Sequence, residues 1–132
     1  MEVLSSRVIV HPSELARAVA FYDQVVGLHR YREFGPGGRV SGVVYFLGGG
    51  FLEVSGDAGG DAPGAAYGAL RLWLQVRDVD AEHARLAAAG ATVLDPPADM
   101  PWGLRECWVA DPDGVRICLV EVPPDHPLRR RS

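Results

Sequence analysis

The chain has 132 residues, about one domain by length, and 48% of them are hydrophobic, enough to bury a core of ordinary size. Its net charge of −4, with no basic stripe interleaved with aromatics, gives no footprint for a nucleic acid. No apolar run approaches the roughly 20 residues that span a bilayer, and the N-terminus lacks a charged-then-apolar leader, so a cytoplasmic protein with no membrane partner is expected.

In chain order, RVIVH (7–11) predicts a strand. Leu15, Ala18, Val19, Tyr22, Val25 and Val26 then fall on one helical stripe, so a helix starting near Ser13 should end at Gly27. Strands are expected near 28–34, 41–47 and 51–54, with Gly-rich turns between them. The stretch SGDAGGDAPGAAYGA (55–69) is too poor in large apolar residues to pack as an element and reads as a linker. LRLWLQV (70–76) opens a second series: Asp78 as a helix cap, a helix to about Ala89 before Gly90, then strands near 91–94, 104–110 and 115–121. The Pro-rich tail ends in Arg129-Arg130-Arg131, read as a solvated end. GGG (48–50) and GG (59–60) read as turns, because a phosphate loop needs glycines that lead into a helix.

The two halves repeat. Arg7 and Arg71 open matching strands, Leu15 and Val79 open matching helices, and Gly27 and Gly90 close them. The predicted fold is α+β: a single domain over 1–132, made of two βαβββ modules (5–55 and 70–122) with a linker (56–69) and a tail (123–132). Their strands would form an open, curved mixed sheet with helices on the outer face. The two cysteines, Cys107 and Cys118, read as reduced thiols. If DPDG (111–114) is a four-residue hairpin loop, they would lie opposite each other.

Alternation along the strands separates two faces. Val8, Val10, Leu52, Val54, Leu72, Leu74, Val76, Ile117 and Leu119 form an apolar set that should face the helices. The opposite set carries Arg7, Ile9 and His11, Phe51 and Glu53, Arg71, Trp73 and Gln75, and Arg116, Cys118 and Val120. A polar face with aromatic walls is either a solvated surface or, if paired modules make it concave, a ligand groove. Whether Trp108 or Cys107 shares that face depends on the phase of 104–110, which stays open.

Four stretches carry a family resemblance: LARAVAFYDQVVGL (15–28), AAAGATV (87–93), VADPDGVRICLVE (109–121) and MPWGLRE (100–106). The chain resembles the vicinal oxygen chelate superfamily, which includes glyoxalases, extradiol dioxygenases and bleomycin-resistance proteins, and MPWGLRE resembles the antibiotic-binding branch. The resemblance implies four metal-ligand positions, one on the first and one on the last strand of each module, here Arg7, Glu53, Arg71 and Cys118. Only Glu53 keeps its type, and arginine cannot ligate a cation. No metal cofactor is therefore expected, with a divalent metal held by a repurposed His11 and Glu53 as the alternative. His29 and His83 read as structural or exposed.

The function these residues imply is metal-free binding of a drug-like, aromatic or anionic small molecule. Arg7, His11, Glu53, Arg71, Trp73, Trp102, Trp108 and Cys118 are the candidate ligand contacts. An Arg7–Glu53–Arg71 cluster would hold the acid ionised. The alternative is a lyase, isomerase or dioxygenase of the same superfamily, using a repurposed metal or an acid–base pair of Glu53 and His11. Members of the superfamily commonly form homodimers, so a homodimer is expected.

Overall fold

A computed structural model describes residues 1–56 and 70–128. The expected linker beyond Gly56 and the arginine-rich end of the tail lie outside the described residues. The chain divides after residue 68 into two compact units.

In the first module the order is β1 (Arg7–Val10), a helix α1 (Leu15–Ala20) that continues as a π-helical segment (Phe21–Val26), then β2 (Arg30–Phe34), β3 (Gly42–Leu47) and β4 (Gly50–Ser55). The wide turn has a visible cause at its end. The amides of Gly27 and Leu28 both donate to the Tyr22 carbonyl (3.1 and 2.9 Å), and Gly27 closes the helix with a φ of 83°, where glycine has no steric cost. The sheet order is β1-β4-β3-β2, with β1 and β4 parallel and the other pairs antiparallel. Val10, Val43, Tyr45, Leu52 and Val54 pack under Ala18, Phe21 and Tyr22 of the helix. Asp23 on the helix receives two bonds from Arg30 of β2 (3.1 and 2.6 Å), which ties helix to sheet.

The second module repeats this order: β5 (Arg71–Val76), α2 (Val79–Ala88), β6 (Thr92–Asp99), β7 (Arg105–Ala110) and β8 (Arg116–Glu121), arranged β5-β8-β7-β6. Asp78 caps α2 by accepting from the Ala81 amide (3.0 Å), and Glu121 of β8 accepts from the Val79 amide (3.0 Å). Leu72, Cys107, Val109, Ile117 and Leu119 bury against Val79 and Leu86. The structure thus has the α+β fold of two βαβββ modules, its strands forming two four-stranded mixed sheets. Among the described residues no helix is long and apolar enough to cross a membrane.

Two local expectations change. The strand expected at 91–94 runs on through Pro96 and Pro97 to Asp99. It is an edge strand with register shifts around those prolines, and edges and bulges are settings in which a sheet tolerates them. The cysteines do not face each other either: Cys107 pairs with Leu119, and Cys118 with Trp108. Ala110 pairs with Arg116, so the loop spans 111–115, one residue longer than expected, and that single residue puts the thiols on opposite faces. Both are free and buried.

Candidate functional site

On the first module, the sheet face away from the helix is built around Glu53. In register, Ile9 of β1 and Val44 of β3 flank it, with Phe51 two residues along the strand. Arg7 Nη1 donates to Glu53 Oε1 (2.9 Å), and the Ser55 hydroxyl donates to Oε2 (2.9 Å). Ser55 in turn meets His11: Nδ1 lies 3.1 Å from the Ser55 carbonyl oxygen and 3.3 Å from its hydroxyl. Arg7, Glu53 and His11 therefore sit on one chain of contacts, joined by Ser55, which alternation alone did not single out.

Beside the acid lies an aromatic surface. Tyr31, Phe46 and Phe51 stack as a trio with centroid separations of 5.0 to 5.8 Å, and Tyr31 and Phe46 are about half exposed. Phe34 folds its ring over Gly42, where a Cβ would meet the ring tip at 2.3 Å, so a larger residue there would displace the ring. The Arg32 guanidinium stacks over Phe34 at 5.9 Å.

On the second module, Trp73, Cys118 and Trp108 are consecutive register partners across β5, β8 and β7. That settles the open phase: Trp108 shares the face with Cys118, and Cys107 lies on the helix side. This face is less polar than alternation alone implied, since Cys118 and Val120 are buried with Leu104 and Val122 and Trp108 packs against them. Glu106, which sequence reasoning did not single out, is the buried acid of this face, only 6% exposed. It accepts from the indole Nε1 of Trp102 (2.6 Å) and from the Cys118 thiol (3.6 Å). Burial, then the neighbouring Glu106 carboxylate, pushes the Cys118 thiol up to about 12. Trp73 and Trp102 stay half or more exposed. Arg71 Nη1 donates to the Leu70 carbonyl (3.0 Å), and its register partner is Arg116.

The residues at the family's metal positions do not suit a divalent ion. Glu53 is engaged by Arg7 at the neighbouring position, the arginines offer no lone pair, and burial raises the Cys118 thiol, which adds to the cost of giving up its proton to a metal. Among the described residues, one group of three close donors occurs, Asp78, Asp80 and Glu121 at the start of α2. Those carboxylates already serve as helix caps or pair with Arg105.

The family model of the Glyoxalase/Bleomycin resistance protein/Dioxygenase superfamily matches residues 6–119. "Putative glyoxylase CFP32" of Mycobacterium bovis is 34% identical over 108 residues, which is 81% of this chain and 40% of that protein. The chain thus spans well under half the length of this curated relative. TnmS3, an antibiotic binding protein from Streptomyces sp. CB03234, is similar with a TM-score of 0.75 and 27% identity, covering 92% of this chain and 98% of its own. A glyoxalase/bleomycin resistance protein from the same organism has 30% identity and a TM-score of 0.68, covering 87% and 97%. TioX from Micromonospora sp. ML1 has 25% identity and a TM-score of 0.75, covering 92% and 100%.

Proposed function

The chain belongs to the Glyoxalase/Bleomycin resistance protein/Dioxygenase superfamily, and from that membership we propose that it is a metal-independent binding protein for an aromatic small molecule. The observation that carries this reading is the Arg7–Glu53 ion pair. A metal-dependent relative uses the first- and last-strand positions of a module to grip a cation, whereas here one position neutralises the other. The aromatic surfaces beside the altered positions of each module, Tyr31, Phe46 and Phe51 in one and Trp73 and Trp108 in the other, supply flat apolar contact for a ring system. The antibiotic-binding function named for TnmS3 supports the binding of a small molecule.

The protein should purify with substoichiometric metal, and neither a chelator nor added Ni, Zn, Mn or Fe should change its melting temperature. A thermal-shift screen of aromatic antibiotics and aromatic acids should contain a stabilising ligand. One present at about 100-fold its Kd would stabilise by about 2.7 kcal/mol. Tight stoichiometric metal, or activity that appears on metal addition, would overturn the reading. Homodimerisation belongs to the same proposal and is tested by light scattering on the purified chain.

A second reading has one observation in its favour. The Glu53–Ser55–His11 contacts link an acid to an imidazole through a hydroxyl, an arrangement that could move a proton without a metal. Against it, both Glu53 oxygens are already engaged, Oε1 by the Arg7 guanidinium and Oε2 by the Ser55 hydroxyl, so the acid is held by the protein rather than offered to a substrate. Turnover of a substrate that disappears in His11→Ala would move the assignment to this enzyme reading.

A further inference from the structure

The second module contains a hollow of about 310 Å³, lined by Arg71, Leu94, Asp95, Trp108 and Arg116. Arg71 and Arg116 are direct register partners on β5 and β8, so two guanidinium side chains leave the same face side by side. Like charges placed directly across a sheet disfavour folding. Among the described residues Asp95 is the one acid in the lining, so there two positive charges face one negative charge. The walls are different. Trp108, half-buried on β7, and Leu94, 42% exposed on β6, offer flat apolar surface.

We propose that this hollow is an anion-recognition subsite that takes a flat aromatic molecule bearing a carboxylate. Arg71 and Arg116 face the carboxylate, whose two oxygens match the planar fork of a guanidinium, while Trp108 and Leu94 cover the ring. The volume is at the lower end of small-ligand pockets, roughly 300–1,000 Å³, which suits one or two fused rings. A cationic guest is disfavoured at this point by the net positive lining. The inference rests on the binding reading above and narrows it by naming the charge and shape of the ligand.

The test uses three probes of one shape and different charge: 2-naphthoate, 2-naphthamide and 2-naphthylmethylamine. Each is titrated calorimetrically into the intact wild-type chain, Arg116→Gln and, as a control, Arg85→Gln on the outer surface of α2. In the wild type and in Arg85→Gln, naphthoate should bind about tenfold or more tightly than naphthamide, and the amine most weakly. Arg116→Gln should remove that preference and leave naphthamide affinity unchanged, and added salt should weaken naphthoate selectively. Equal affinity for naphthoate and naphthamide in the wild type would overturn the subsite, as would an Arg116→Gln variant that weakens both alike. If the three probes fail while uncharged aromatic antibiotics stabilise the protein, the subsite falls and the binding function stands. If no aromatic compound of any charge binds, both fall.

Discussion

Glu53 and Glu106 show how the same side chain acquires different neighbours from its surroundings. Glu53 faces a guanidinium and a hydroxyl, and its side chain is 13% exposed. Converting it to glutamine keeps the shape and removes the charge, so Glu53→Gln should cost about 1–2 kcal/mol of stability. Chemical denaturation would measure this, and an unchanged midpoint together with unchanged ligand affinity would refute a structural or binding role. Among the described residues Glu106 has only neutral donors, the Trp102 indole and the Cys118 thiol. Burial also governs the two thiols. Burial holds Cys107 up to about 11 and Cys118 up to about 12, so native protein near neutral pH presents almost no thiolate. Ellman's reagent should leave both untouched until denaturant is added; rapid reaction of either in the native state would contradict the burial. Glu53 was legible from alternation within a single strand. Glu106 was not, because its face depends on the length of the loop between β7 and β8.

At the scale of elements, the helices and strands follow from local chemistry more closely than the side-chain neighbourhoods do. Asp78 was readable as a cap and is one, accepting from the Ala81 amide. Asp78→Ala should therefore destabilise the protein by about 1 kcal/mol, measured by denaturant melts, while Asp78→Ser should largely restore it. The first helix was readable in extent, from its apolar stripe to Gly27, but its π-helical second half was not. That widening places Tyr22 against Tyr45 and Asp23 against Arg30, contacts that exist only once helix and sheet have met. Phe46 could have been found from sequence: the two-residue turn Gly48-Gly49 pairs Leu47 with Gly50 and hence Phe46 with Phe51. Tyr31 could not, since the register of β2 shifts between Arg30 and Arg32, and that shift decides which face Tyr31 joins.

Taken as a whole molecule, the protein is held by carboxylate–arginine ties that respond to pH. The Arg30 guanidinium lowers the Asp23 carboxyl below its ordinary 3.8, and Arg105 does the same for Asp80. A lowered folded value means these contributions are present above about 3.8 and are lost as the pH falls through the lowered folded values. The buried thiols act at the other end: with folded values raised from 9.0 to about 11 and 12, their contribution is intact below 9.0 and lost as the pH climbs toward 12. Thermal melts should therefore give a plateau through neutral pH with an acid limb below about 4. An Asp23→Asn variant should show a shallower acid limb, and an unchanged limb would remove Asp23 from the account.

By itself the sequence determined the two repeated modules and the type and order of their elements. Those features rest on periodicity, caps and turns, which are set by residues near one another in the chain. Only the tertiary structure decided that Ser55 links Glu53 to His11, that Glu106 lies beneath Trp102 against Cys118, and that Arg116 stands beside Arg71 in the Trp108 hollow. Each depends on register between strands distant in sequence, where a slip of one residue sends a side chain to the other face.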